Sequence, residues 1–323
     1  PALRQRYGLP QSDVNGLDLD LALRALDDGS IDATDLYATD AEIAFYGFAV
    51  LDDDLGHFPR YDAVLLYRAD LEDRAPAVAA AYESLAGAFD EASMSALNRR
   101  VKIEQESERA VAASFVSAWR GSVVEAPVEE SFWERQRRLL AEHLHLVMIS
   151  LVLAILIGVP LGVMAARHRR SGQVILAVVG IIQTIPALAL LVLLMPLPWP
   201  RGEGRPDVLG IGAETAIAAL FLYSLLPIVR NTFTGLTGID PALQESAAAL
   251  GLPRRARLWK IELPLASPTI LAGIQTAAVV NVGFATLGAL INAGGYGQPI
   301  LTGLRLGRTD LILEGAIPAA LLA

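Results

Sequence analysis

The hydrophobic rhythm of the chain changes once, near residue 131. Before that point apolar residues come in short groups, broken every few positions by Asp, Glu or Arg; after it they run unbroken for whole segments. In the first stretch Leu17, Leu21 and Leu26 recur at helical spacing and Asp28-Gly29 closes the run, which predicts a helix over 17–28. Ile31–Ala38, Phe48–Leu51 and the apolar Ala63–Tyr67 read as short strands, and helical patterns follow at 75–87, 90–102 and 104–119. Strands alternating with helices predict an α/β domain over 1–120, large enough for a small core. Residues 121–131 (GSVVEAPVEES) read as a linker. Phe132–His145, basic at Arg135, Arg137 and Arg138, reads as an amphipathic helix lying at a membrane interface, so that 121–142 forms linker plus interfacial helix.

The second stretch, 143–323, reads as an all-α membrane domain. A hydrocarbon core of roughly 30 Å requires about 20 apolar residues per helix. Leu144–Ala166, Val174–Leu197 (with Pro186 inside) and Thr269–Ile291 meet that requirement, and Thr215–Val229 does so if it continues at one end. Asp310–Ala323 begins one more, giving about five spans with the last cut short. Prolines and glycines inside these runs predict kinked helices whose freed backbone groups are satisfied within protein. The opening Pro1 and the close at Ala323 inside an apolar run make the sequence read as a piece of a longer chain.

Charge sharpens this division. Residues 1–130 carry 25 Asp/Glu against 11 Lys/Arg, net −14; residues 131–323 carry 10 against 15, net +5. A soluble acidic domain followed by a membrane domain fits, and the acidic balance argues against a nucleic-acid partner. With no cysteine, disulfides and thiolate metal sites are excluded. Inside loops holding Arg167, Arg169, Arg170, Arg230, Arg254, Arg255, Arg257 and Lys260 outweigh outside loops holding Arg201, Arg205, Arg305 and Arg308. The positive-inside rule then places 231–268 in the cytoplasm and the acidic domain outside the cell, in a multi-pass protein of the cell membrane.

The most ordered polar segment lies between apolar runs: ESAAALGLPRRARLWKIELP, residues 245–264. Asp240 and Pro241 provide an N-cap and first turn, and Glu245 suits the positive end of the helix dipole. Ala247-Ala248-Ala249 favours helix and close packing, and Gly251 with Pro253 ends it. Arg254–Lys260 starts a second, basic helix that Pro264 is expected to end. Helix–turn–helix with small side chains at the turn offers a surface that a partner can approach closely.

This segment resembles the coupling segment of ABC-importer permeases: Glu245, Ala247, Gly251, Ile261, Leu263 and Pro264 match its motif at its spacing, with Ser246 where the motif has Ala. The resemblance extends over most of 143–323. ISLVLAILIGVPLGVMAARHRR (149–170), IIQTIPALALL (181–191), LFLYSLLPIVRNTFTGL (220–236), INAGGYGQPILTGL (291–304) and EGAIPAALLA (314–323) resemble permeases of the glycine betaine/carnitine/choline (osmoprotectant) importers. In the acidic domain LDDGSIDATDLYATDAEI (26–43), VLDDDLGHFPRYDAV (50–64) and MSALNRRV (94–101) resemble the later part of the substrate-binding protein of the same systems. The resemblance implies a partial, periplasmic-binding-protein-like α/β domain fused to its permease. It also implies a separate ABC ATPase that binds ATP and Mg²⁺, a second permease copy or paralogue, and a quaternary-ammonium osmolyte as cargo. No cofactor is implied in this chain, and no G-x-x-x-x-G-K-[ST] run occurs in it.

A quaternary ammonium has no N–H to donate, so aromatic faces hold it by cation–π attraction, worth about 0.5–2 kcal/mol per contact. By the resemblance Tyr37 (in LYATD) and Tyr61 (in FPRYD) are expected members of such a cage, with Thr39 and Asp40 as nearby polar candidates, although Asp40 also suits a helix cap. Asp52-Asp53-Asp54 reads as a solvated turn. Within the spans Gln183, Thr184, Asn231, Thr232, Gln275, Thr276 and Asn281 either line a substrate path or hydrogen-bond between helices. Gly294, Gly295 and Gly297 read as an outside loop, a gate or a tight turn. An intramembrane enzyme is disfavoured: His143 and His145 lie two apart and share no helix face, and the spans hold no catalytic pair. A receptor that binds osmolyte without transport has no use for 245–264. A permease for polar amino acids is the nearest alternative.

Overall fold

A computed structural model describes residues 2–17, 19–126, 130–198 and 209–323. Arg201 and Arg205, counted above among outside charges, lie outside the described residues, as do 127–129 of the linker. The chain divides into two compact units, residues 1–129 and 130–323.

In the first unit the described residues form helices: α1 (Ala2–Tyr7), α2 (Leu19–Asp27), α3 (Ala41–Tyr46), α4 (Leu71–Arg74), α5 (Pro76–Glu83), α6 (Glu91–Lys102) and α7 (Glu108–Arg120). Their ends follow local chemistry. Asp90 and Ser93 form a reciprocal capping box on α6, with Ser93 N–H to Asp90 Oδ1 at 2.7 Å and Asp90 N–H to Ser93 Oγ at 3.0 Å. Ser107 caps α7, and Gly121 ends it at φ 63°, a left-handed turn that glycine adopts without strain. The helices expected over 17–28, 75–87, 90–102 and 104–119 correspond to α2, α5, α6 and α7.

The expected α/β character does not appear among the described residues. Ile31–Ala38, Phe48–Leu51 and Ala63–Tyr67 belong to no strand among the described residues of this unit. A strand exists only as a member of a ladder, and β-favouring composition alone supplies no partner. These segments stay in water, where their backbone groups are hydrated: Leu51 is 87% and Leu66 is 92% exposed. The small buried core comes from helices, through Leu23, Ala41, Ala79 and Val111.

The second unit opens with α8, Phe132–Arg167, a single helix of 36 residues. Ser131 and Glu134 cap its start reciprocally. The amphipathic stretch expected to lie at an interface and the first span are thus one continuous element, since no turn residue interrupts Phe132–Ile157. Next come α9 (Arg169–Thr184) and α10 (Ala187–Leu194), bent by 101° at Ile185-Pro186. Then follow α11 (Ala213–Thr237), α12 (Pro241–Ala249), α13 (Arg254–Arg257), a π-helical turn Leu258–Glu262, α14 (Leu263–Ala285), a 3₁₀ turn Thr286–Ile291, α15 (Gly297–Leu306) and α16 (Thr309–Leu322).

Among the described residues three helices are long and apolar enough to cross a membrane: Phe132–Arg167, Ala213–Thr237 and the continuous Arg254–Ile291; the bent α9–α10 pair makes a fourth if taken as one span. The expected count of about five, with the last cut short, is met only if the bent pair is one span and α16 is the start of another. Pro186 breaks the second run because its ring and missing N–H cannot continue a helix, and α16 has only 14 residues.

α11 is the centre of this unit, packed against α8, α9, α10 and α14. Glycines set how closely. A Cβ on Gly162 of α8 would lie 2.5 Å from Thr232 Cβ, and one on Gly273 of α14 would lie 2.6 Å from Asn231 Cβ. Between membrane helices there is little hydrophobic drive, so close contact of small residues carries association.

Gly162→Ala should therefore destabilise the unit by about 1–3 kcal/mol through overpacking. Gly180→Ala, where a Cβ meets nothing within 4 Å, should not. Thermal unfolding of the detergent-solubilised protein compares the two, and equal melting temperatures would contradict the packing account.

Candidate functional site

Two sets of expected site residues fall in the first and second units, and each has its own geometry. In the first unit Tyr37 and Tyr61 meet. Their ring centroids lie 6.2 Å apart at an interplanar angle of 84°, edge to face. Both are open to solvent, at 60% and 67% exposure. The segment before α3 positions Tyr37. Asp40 precedes α3 but makes no cap bond to it; instead its Oδ2 accepts the backbone N–H of Tyr37 at 3.1 Å. Thr39 offers its carbonyl, which accepts from Asn98 Nδ2 of α6 at 2.9 Å. Lys102 Nζ and Glu42 Oε1 pair at 2.9 Å and fasten α3 to α6 again.

Tyr61 follows a turn organised by Asp53. That carboxylate accepts the hydroxyl of Tyr7 and the N–H groups of His57 and Phe58, both at 2.8 Å. The Tyr7 hydroxyl, followed by those two N–H groups, holds the Asp53 carboxyl down to about 2. A depressed carboxylate contributes its stability above the ordinary carboxylate range and loses it as pH falls through about 2, so the turn stays organised at every physiological pH. Sequence reading took Asp52–Asp54 as a solvated turn and missed that Asp53 orders it, because Tyr7 is remote in sequence.

In the second unit the segment 240–264 is two helices joined by a glycine corner. Asp240 caps α12 by accepting the N–H of Ala242 at 2.9 Å, and Pro241 fills its first turn. Ala247 is its one buried residue; Glu245 is exposed. Gly251 turns at φ 73°, with open space where a Cβ would stand, and Leu250 beside it is 80% exposed. The corner is therefore bare on its outer face. Ile261 and Leu263 are partly buried, while Pro264 is exposed.

Pro264 does not end a helix as expected. It sits in the first turn of α14, and the chain from Arg254 to Ile291 is helical throughout. The π-helical turn explains this. Leu263 N–H bonds to Leu258 O, five residues back, so the ladder is widened where Pro264 has no N–H to give.

The polar residues of the spans do not converge. Thr184, Asn231 and Thr276 bond to carbonyls of Ile181, Pro227 and Ala272 in their own helices. Gln183 is partly buried and Gln275 is exposed. Asn281 is fully buried and joins three helices: its Nδ2 donates to Ser150 Oγ of α8 at 3.0 Å, and its Oδ1 accepts from Ser224 Oγ of α11 at 2.9 Å. Sequence reading missed both serines, since a lone serine in an apolar run carries no pairing signal. His143, weighed above only as half of a catalytic pair, is fully buried on α8 with its Nε2 3.1 Å from Val282 O. The stretch 294–297 is buried, not free. Glu142 Oε2 accepts the N–H of Gly295 at 2.9 Å, and Gly294 and Gly295 hold φ 92° and 78° against Glu142 and His143.

Replacing Asn281 discriminates a clamp from a path. Asn281→Leu should cost only about 0.6–2 kcal/mol, because both serines keep bonds to carbonyls of their own helices. Asn281→Asp buries a charge with no cationic partner and should cost more. Chemical denaturation of the purified protein measures both; equal stabilities would exclude a buried clamp.

Comparison with known proteins divides the chain in the same way. Residues 158–323 match the family described as binding-protein-dependent transport system inner membrane component. Residues 1–118 match the family described as the substrate binding domain of ABC-type glycine betaine transport system. The choline transport system permease protein OpuBB of Bacillus subtilis is 41% identical over 182 residues, 56% of this chain and 79% of the relative. The glycine betaine/carnitine/choline transport system permease protein OpuCD of the same organism is 43% identical over 182 residues, 56% of this chain and 75% of the relative. The osmoprotectant import permease protein OsmW of Salmonella typhimurium is 42% identical over 182 residues, 56% of this chain and 82% of the relative. A solved structure of the MetNI methionine ABC transporter in an inward-facing conformation is similar in fold. Its TM-score is 0.52 at 23% identity, over 60% of this chain and 92% of that one.

Proposed function

The chain belongs to the family of binding-protein-dependent transport system inner membrane components, and from that premise we propose that it imports quaternary-ammonium osmolytes such as glycine betaine, choline or carnitine. One observation carries the reading: two families of one kind of transport system match consecutive parts of a single chain, 1–118 and 158–323. A binding unit joined to its permease needs no docking step from free solution, because the linker keeps the binding unit at high effective concentration.

The first unit captures the osmolyte outside the cell. The edge-to-face pair of Tyr37 and Tyr61 supports this assignment, since two exposed rings at 6.2 Å offer π faces to a cation that cannot donate a hydrogen bond. Asp40 acts here as the group that orients Tyr37 through its backbone, and Thr39 helps fasten the same segment to α6.

The second unit conducts. We take the bent α9–α10 pair as one broken span and α16 as the start of another, with 231–268 in the cytoplasm. A separate ATPase, binding ATP and Mg²⁺, grips α12 and the Gly251 corner, and a second permease copy completes the path. The bare outer face at Leu250-Gly251 supports a partner's close approach. Alternating access then follows from rocking one permease half against the other.

Uptake of radiolabelled glycine betaine by cells producing the transport system tests the coupling assignment. Gly251→Trp should reduce uptake at least about tenfold by blocking the contact. Gly251→Ala bears the same left-handed strain of about 1–2 kcal/mol without the bulk, and should keep most of the uptake. Normal uptake by the Trp variant at wild-type membrane abundance would remove the corner from the ATPase contact.

Calorimetric titration with glycine betaine tests the tyrosines. Tyr37→Ala and Tyr61→Ala should each weaken binding by about 2- to 30-fold, and Tyr37→Phe should not, because the ring face and not the hydroxyl holds the cation. An unchanged affinity in an Ala variant would exclude that residue from the cage.

A further inference from the structure

The coupling segment is attached to more than its own span. Arg167, the last residue of α8, donates from Nη2 to Glu262 Oε2 at 2.9 Å. Glu262 closes the π-helical turn that leads into α14. The pair is well covered for a charged contact at a helix end, with side chains 34% and 16% exposed. Among the described residues it is the one ion pair that joins 240–264 to another helix. Apolar contacts lie beside it: Val163 and Ala166 of α8 share a cluster with Leu258 and Leu263 from the turn.

The outer part of the segment is held differently. α12 buries only Ala247 and turns on a glycine with open space around it. A push on α12 passes through the corner to α13 and the π turn, and from there has two routes. One is the backbone into α14, which moves α14 alone. The other is side-chain contact at Glu262, which reaches α8. The apolar neighbours permit sliding, since they have no directional preference. A hydrogen-bonded ion pair fixes distance and orientation together. The π turn matters here because its widened ladder sets the angular position of Glu262 relative to α14.

We propose that Arg167 and Glu262 form a positioning pair that makes the first span move with the coupling segment, so that a displacement delivered at α12 reaches α8 as well as α14. The proposal rests on the coupling reading of 240–264 given above. It assigns to Glu262, a position between the motif residues Ile261 and Leu263, the task of linking two spans.

Proteoliposomes holding the full chain with the ATPase of its transport system provide the test. Radiolabelled glycine betaine uptake and ATP hydrolysis are measured together. Arg167→Glu and Glu262→Arg should each lower solute moved per ATP hydrolysed at least about fivefold. The double exchange should restore the ratio to within about twofold, and Arg167→Lys should largely preserve it. A merely structural pair would lower uptake and hydrolysis in proportion; that result, or single variants with the wild-type ratio, or an exchange no better than the single variants, would overturn the proposal.

Distances supply a second measurement that needs neither solute nor ATPase. The chain has no cysteine, so nitroxides at Met164→Cys and Trp259→Cys report only the α8-to-turn separation. The distance distribution should broaden in Arg167→Gln and in Glu262→Gln, and an unchanged width would also overturn the proposal. Absence of ATP-dependent uptake in the wild-type chain would instead refute the transport reading, leaving the pair to be judged by this width.

Discussion

Close approach of helices around α11 is the constraint on which the second unit depends. In a bilayer every backbone polar group must be satisfied internally, and lipid rewards helix contact only through packing and hydrogen bonds. Gly158 and Gly162 on α8 and Gly273 on α14 admit α11 at distances that a methyl group would prevent. Once α8, α11 and α14 are that close, Asn281 can reach both Ser150 and Ser224. The polar clamp is a consequence of the glycine contacts, and it fixes the register that those contacts alone leave free to slide.

The prolines obey the same rule of internal satisfaction. Pro186 breaks the second apolar run, and the Tyr223 hydroxyl takes up the freed carbonyl of Ile185. Pro227 stays within α11, where Asn231 Nδ2 donates to its carbonyl at 2.8 Å. Pro264 is accommodated by the π turn before it. Glu262, which bonds Arg167, is the last residue of that turn. The helical path from Arg254 to Ile291 makes the end of the 245–264 segment and a candidate span one rod, whereas α12 stays a separate arm beyond the Gly251 corner.

In the first unit the geometry around the two tyrosines comes from turns. Tyr37 is held by an Asp40 carboxylate three residues on, and Tyr61 follows a loop ordered by Asp53 and Tyr7. Neither tyrosine is buried, and the two rings stand edge to face at the surface. The α3–α6 contacts keep the Tyr37 segment rigid enough to present it.

Much of this was legible in the residues alone. Periodicity placed α2, α5, α6 and α7, and composition separated an acidic unit from an apolar one, because burial and hydration act on each residue's own chemistry. The caps and breakers of 240–264 likewise marked the two helices and the glycine turn that form there. Pairing was not legible. Val50, Leu51 and Val64–Leu66 have strand composition but no ladder, since a ladder is a relation between segments that no single segment encodes. The bend at Pro186, the π turn before Pro264, the Asn281 clamp and the Arg167–Glu262 bridge were likewise decided by tertiary structure. Each depends on which atoms meet across remote parts of the chain, as with Ser150 and Asn281 or Arg167 and Glu262, and a local pattern carries no record of that meeting.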